Sequence, residues 1–187
     1  MNFKQLAFFA FLIILSATSC KKEVEGCTDT AADNYNPDAN ESGGECFYQK
    51  RFAGEYNGIF NCEGTFKGIF DEATMTISEF AEKNKVNVII ETKIGPLPVE
   101  GIIINSDTIS INKIFPDLSI IPEDLFPGTG TTPISAKGHI ITKLGISSDN
   151  KTLSGKLNLT LENNEPLFVF PAGTKFPDTC DFTATKK

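Results

Sequence analysis

The sequence predicts an all-β fold: an antiparallel up-and-down barrel of about eight strands, or alternatively a β-sandwich, preceded by a small disulfide-closed module. Three observations carry this. Leu153–Leu161 alternates, with Leu153, Leu157, Leu159 and Leu161 on one side and Ser154, Lys156, Asn158 and Thr160 on the other. Such alternation gives a strand one buried and one wet face, as in antiparallel sheet. Eight more short segments of strand character follow one another between turn-forming residues, and no long segment repeats at the helical period of 3.6.

Those eight segments are Phe52–Phe60, Ala73–Ser78, Lys85–Glu91, Val99–Ile104, Thr108–Ile114, Ile134–Lys143, Leu167–Phe170 and Cys180–Thr185. Links between them carry Glu82-Lys83-Asn84, Gly95-Pro96, Asn105-Ser106-Asp107, Ser148-Asp149-Asn150 and Pro171-Ala172-Gly173, all rich in residues that favour turns. One stretch interrupts the rhythm. Ile114–Ser135 holds Pro116, Pro122, Pro127 and Pro133 among Phe115, Leu118, Ile120, Ile121, Leu125 and Phe126. It reads as a long irregular loop over one end of the sheet. The bland expectation is a plug of packed side chains. The functional one is a binding loop in which Phe115, Leu118, Ile121, Leu125 and Phe126 touch a small apolar ligand.

The first residues have a different purpose. Lys4 is the only charge before Cys20, and Leu6–Leu15 is an unbroken apolar run. A short positive region, an apolar core and small residues are the layout of an export leader, here residues 1–19. The run is shorter than the ~20 residues that a spanning helix needs. Ala17-Thr18-Ser19-Cys20 resembles a bacterial lipobox, which implies that Cys20 is acylated and becomes the first mature residue. The alternative is an ordinary secretory leader with Cys20 in a disulfide. Two or more acyl chains, at roughly 0.8 kcal/mol per buried CH₂, would anchor the protein stably.

Five cysteines are an odd number for an exported chain. Setting Cys20 aside leaves Cys27, Cys46, Cys62 and Cys180, which suits an oxidising compartment and allows three pairings. Cys27–Cys46 is favoured as a local staple. Cys62–Cys180 is favoured because Cys62 follows the first strand and Cys180 begins the last, and these are neighbours in a closed meander.

Residues 20–48 form a tether and an Asx-rich module with too few apolar side chains for a core of its own. Gly26-Cys27-Thr28-Asp29, Ala32, Asn34-Tyr35-Asn36-Pro37, Ala39, Gly44 and Cys46 resemble a short motif recurring in exported proteins of the Bacteroidota. The likeness implies an outer-membrane lipoprotein of the cell envelope. Asp29, Asp33, Asn36 and Asp38 are oxygen donors of the type that a structural Ca²⁺ takes. They are equally the residues that close turns on their own backbone.

The third part, residues 49–187, opens on "FAGEYNGIF", which resembles the G-x-[WY]-x-G start of lipocalin-like bacterial domains. "ISSDNKTLSGKLNLTL" resembles their late hairpin. This likeness implies a barrel that could carry a small apolar ligand in its mouth.

Composition narrows the function. Removing residues 1–19 takes the net charge from −7 to −8, and no Lys/Arg cluster appears. That argues against nucleic acid as a partner. His139 is the only histidine, on a probable strand with Ile141 on its side and Ile140 opposite. No nucleophile elbow, H-E-x-x-H site or phosphate-binding glycine loop is present. The adjacent carboxylates Glu123-Asp124 and Asp71-Glu72 are expected on solvated surfaces. The sequence therefore points to a non-catalytic module that binds a protein partner, or to a carrier of a small apolar ligand. It is expected to reach the membrane through Cys20.

Overall fold

Alternating burial organises the chain from Gly54 to Lys186. The computed structural model describes residues 22–67, 69–70 and 73–187, so the leader, Cys20, Asp71 and Glu72 lie outside the described residues. Eight strands follow one another: β3 (Gly54–Cys62), β4 (Ala73–Glu79), β5 (Lys85–Thr92), β6 (Gly95–Asn105), β7 (Thr108–Ile120), β8 (Ile134–Ile146), β9 (Thr152–Asn163) and β10 (Lys175–Lys186). Each pairs antiparallel with the next, and β10 returns to β3, closing the barrel. The sandwich alternative is thereby set aside. Closure removes the sheet edges that an open meander would expose.

Inward positions are apolar. Tyr56, Met75, Val88, Ile109, Leu144 and Leu157 are fully buried. Outward positions are mostly polar or charged, the reverse of a membrane-spanning barrel, whose apolar band faces lipid. In β9, Leu153, Leu157, Leu159 and Leu161 point inward as their alternation predicts. Gly155 keeps that phase because a Cβ there would meet the Lys143 carbonyl oxygen at 2.2 Å.

Both disulfides form as expected, Cys27–Cys46 and Cys62–Cys180. Cys62 and Cys180 face each other in register across the β10–β3 seam. Cys62 is the last residue of β3, but Cys180 lies in the middle of β10, which begins five residues earlier at Lys175.

Two other segments differ from expectation. Leu167–Phe170 is not a strand; it is a tight turn closed by reciprocal backbone hydrogen bonds between its two ends. Pro166 and Pro171 flank it and prevent extension into the ladder. The irregular stretch expected from Ile114 is strand as far as Ile120. A bulge between Phe115 and Leu118 absorbs Pro116 and shifts the alternation by one residue, so Leu118 and Ile120 still turn inward. Only residues 121–133 form a loop, around the single-turn helix α2 (Pro122–Leu125).

Strand β6 also runs through the expected link Gly95-Pro96. Ile103 donates its N–H to Asn84 on the β5 side, so odd residues of β6 bond β5 and even ones face β7. Pro96 and Pro98 therefore lack an N–H only where β6 has no partner, because β6–β7 pairing stops at Gly101↔Ile111. Beyond that point the two strands part and leave a seam in the wall.

The N-terminal module sits at the other end. Its strands β1 (Glu25–Gly26) and β2 (Glu41–Ser42) form a minimal parallel pair. Helix α1 (Gln49–Phe52) then closes the base of the barrel. Buried Gln49 reaches from Nε2 to the carbonyls of Phe80, Glu82 and Lys85 at 2.7–3.0 Å, satisfying the β4–β5 turn. Arg51 pairs with Asp107 of the β6–β7 turn at 2.6 Å. Among the described residues no helix is long and apolar enough to cross a membrane.

Candidate functional site

The up-and-down order puts the loops after β3, β5, β7 and β9 at one end, here called the top, opposite α1 and the N-terminal module. The top is where the sequence expects a ligand-binding mouth. The residues proposed for it are brought together, but they fill the mouth. Leu125 is buried, Phe126 stacks beside Phe170 and Phe176 at ring distances of 6.0 and 5.3 Å, and Phe170 meets Phe176 edge-on at 5.2 Å. Phe115 and Leu118 line an apolar cavity there, together with Phe66, Phe70, Leu97 and Leu161. That cavity measures about 30 Å³. It is an order of magnitude below the ~300–1,000 Å³ of ordinary small-molecule pockets. Of the five expected contacts, only Ile121 is exposed.

Two carboxylates lock the top loops. The Glu123 carboxylate accepts backbone N–H bonds from Gly128, Thr129 and Gly130 at 2.9–3.2 Å. The Gly128 and Gly130 donors hold its carboxyl below the ordinary range. Asp178 accepts from the N–H groups of Gly64 and Phe66 at 3.0 and 2.9 Å, tying the β3–β4 loop to β10. Asn164 joins the bases of the two long loops, its side chain donating to Ser135 Oγ at 2.6 Å. The mouth is a built lid; Glu123 and Asp124 are exposed, as expected, and Glu123 also ties the loop together.

The residues that sequence reasoning missed are Phe168 and Val169. They occupy the two corners of the Leu167–Phe170 turn and are 62% and 86% exposed. Phe168 has φ +53°, a left-handed conformation that favours glycine and is costly for a bulky residue. Its neighbours Leu167 and Phe170 are anchored in the lid, so the turn presents its apolar corners on a rigid base. Read as a strand, "LFVF" gives no sign that its middle two residues face water. The flanking prolines were the available signal.

His139 points outward, half-buried, with Nε2 at 2.8 Å from Asn112 Oδ1. Ile141 shares its face and is exposed, while Ile140 is buried, as the alternation predicts.

In the small module the candidate Ca²⁺ oxygens serve separate partners. Asp29 accepts from the Ala31 N–H at 2.8 Å and the Tyr48 hydroxyl at 2.9 Å, and these bonds lower its pKa. Asp33 accepts from the Lys50 N–H, and Asn36 from the Asp38 N–H, both at 3.1 Å. The Asp29–Ala31 and Asn36–Asp38 bonds close local Asx turns, whereas the Asp29–Tyr48 and Asp33–Lys50 bonds tie the module to the segment around α1. Among the described residues, the group of three potential ligand side chains within 4.8 Å of one another is Cys62, Asp178 and Cys180. Its two sulfurs are bonded to each other.

Set against known protein families, characterised proteins and solved structures, the chain has no match in any of the three comparisons. The closed eight-stranded barrel fits a lipocalin-like binding fold.

Proposed function

We propose that this protein is a lipid-anchored module of the bacterial outer membrane, held by acylated Cys20, and that it works by binding a macromolecular partner without catalysis. The observation that carries the reading is the small size of the apolar cavity in the mouth. The apolar cavity that the described residues leave in the mouth is about 30 Å³, while Phe168 and Val169 stand in solvent at the top. A carrier would show the opposite distribution of apolar surface. The leader and the Cys20 context support the anchor. The sole histidine bonds Asn112, and the Glu123 carboxylate is occupied by backbone donors, which supports a non-catalytic role.

A second reading, carriage of a small apolar ligand, rests on the apolar cavity that Phe115 and Leu118 line. Native mass spectrometry of the protein purified from its own membranes separates the two. The proposal expects an acylated Cys20 and no retained ligand. An unmodified Cys20 sinks the anchor, and a co-purifying apolar molecule sinks the surface-binding role. Adding Ca²⁺ to the same sample and following the thermal midpoint decides whether the Asp29–Asp38 oxygens also take a cation.

A further inference from the structure

The chain is tied into the N-terminal module from Lys22 onward, and Asn40 makes the tie. Asn40 Nδ2 donates to the Lys22 carbonyl at 3.1 Å, and Oδ1 accepts from the Val24 N–H at 3.0 Å. The Asn40 N–H donates to the Val24 carbonyl at 3.0 Å. The ladder continues in the β1–β2 pair, with Glu25 opposite Glu41 and Gly26 opposite Ser42. Gly26 passes close to its neighbours, since a Cβ there would meet Asn36 Nδ2 at 2.9 Å and Ala39 Cβ at 3.2 Å. The Cys27 carbonyl then accepts from the Asn36 N–H at 2.8 Å, and Cys27 is bonded to Cys46. The module is joined in turn to the base of the barrel. Asp29 and Asp33 bond Tyr48 and Lys50, and Arg51 of α1 pairs with Asp107. Residues 22–27 therefore belong to the module rather than to a free tether.

We propose that the basal module stands directly on the headgroup layer of the membrane that holds Cys20, with Asn40 as the positioning residue that keeps it there. The inference rests on the acyl anchor proposed above and adds a contact surface to it, formed by the exposed residues Lys22, Glu23, Asn40 and Glu41. Covalent reach carries the argument. Only Lys21 stands between Cys20 and Lys22, and two fully extended residues span about 7 Å at most. The headgroup layer is itself roughly 5–8 Å deep, half the difference between ~30 Å of hydrocarbon and ~40–45 Å of whole bilayer. Acyl chains in the hydrocarbon start the span at the inner boundary of that layer, so the reach of Lys22 ends about where the headgroups do. Without the Asn40 bonds and the ladder, the free run would extend from Cys20 to Cys27. Those seven residues span about 23–25 Å, enough to lift the module clear. Charge does not select this partner. Residues 22–48 carry one lysine against seven carboxylates, so an anionic headgroup layer opposes the contact and the short reach enforces it.

The test uses the full acylated chain in phosphatidylethanolamine–phosphatidylglycerol vesicles, with a nitroxide amino acid in place of the exposed Glu23. Collision with a water-soluble nickel chelate reports depth in the headgroup layer, and the width of the spectrum reports motion. Nickel relaxation should be at least threefold lower than in a variant with eight Gly-Ser residues inserted between Lys21 and Lys22. That insertion lengthens the reach and leaves the Asn40 bonds in place, so the two labels should be equally immobile. Asn40→Ala should do something different. Its label should gain free motion, and its nickel relaxation should rise at least twofold. The thermal midpoint should stay unchanged, because Cys27–Cys46 still closes the module. A wild-type label as open to nickel as that of the insertion variant, or as mobile as that of Asn40→Ala, overturns the proposal. Should Asn40→Ala fail to fold, the insertion pair still decides the depth and the wild-type spectrum decides the immobility. The acyl mass of Cys20 is read on the same sample. An acylated chain with an exposed label defeats this inference alone, whereas an unacylated Cys20 defeats the anchor and this inference with it.

Discussion

Tyr56 and Glu123 show how single groups set the response of the fold to pH. Tyr56 is fully buried, donates its hydroxyl to the Phe52 carbonyl at 2.7 Å, and is pushed up by desolvation to about 12. An unfolded tyrosine ionises near pH ~10. Between those values the folded chain binds more protons than the unfolded chain, so stability falls as pH rises. The contribution is complete below pH ~10 and gone above pH ~12. Thermal melts from pH 8 to 12 should therefore show a steeper alkaline decline for the wild type than for Tyr56→Phe. At neutral pH that variant should cost about 1–2 kcal/mol, because the Phe52 carbonyl loses its donor. Glu123 has the opposite sign. Its lowered pKa means that its contribution is present above the unfolded carboxylate value of ~4.3 and lost as pH falls through the folded value. Glu123→Gln should raise hydrogen exchange at Gly128, Thr129 and Gly130 with little change in the global midpoint. Equal exchange in the two proteins would show that these donors do not depend on the carboxylate.

At the scale of elements, the seam between β10 and β3 carries the longer of the two disulfides, with Cys62 and Cys180 separated by 118 residues. A bond closing so long a loop constrains the unfolded chain by about 4.7 kcal/mol in the entropy model. Replacing both cysteines by alanine should cost about 2–5 kcal/mol in urea unfolding yet leave the far-ultraviolet dichroism unchanged, because the ladder from Tyr56 to Cys62 pairs without it. A loss of β signal would instead make the bond a condition of closure. Strand legibility follows from the same ladders. The β9 alternation is unbroken, and so readable, because every second residue enters one core. Strand β6 was readable only from Val99 because Pro96 and Pro98 look like a turn. They are tolerated because their missing N–H groups face the unpaired β7 side. Pro177 repeats the device: even residues of β10 bond β9, as the Lys186 N–H to Lys151 shows, so Pro177 faces the side that β3 has left after Cys62. Whether a proline interrupts a strand depends on which neighbour is absent, and one sequence does not state neighbours. The bulge at Pro116 hid the end of β7 by shifting the phase, and with it the inward turn of Leu118. Phe168 and Val169 escaped notice because exposure at a turn corner is set by backbone geometry, not by side-chain type.

The whole molecule has two ends with different chemistry. The N-terminal module and α1 close the base, next to the short tether that follows Cys20, and the apolar corner stands at the opposite end. A strand of twelve residues such as β10 runs about 40 Å, and at a barrel tilt of about 40° this amounts to roughly 30 Å of height. An anchor at the base would therefore hold Phe168 and Val169 tens of ångströms above the membrane that holds Cys20. Under the proposed anchor, this arrangement would turn the corner away from the lipid. A fluorophore at Val169 of the full, acylated chain in vesicles should be barely quenched by acceptor-labelled lipid, while one at Ser42 of the basal module should be quenched strongly. Addition of soluble iodide should reverse the ranking, because Val169 stands in solvent. Strong lipid quenching at Val169 would mean that the barrel lies on its side or inserts its turn, and the division between an anchoring base and a binding top would have to be abandoned.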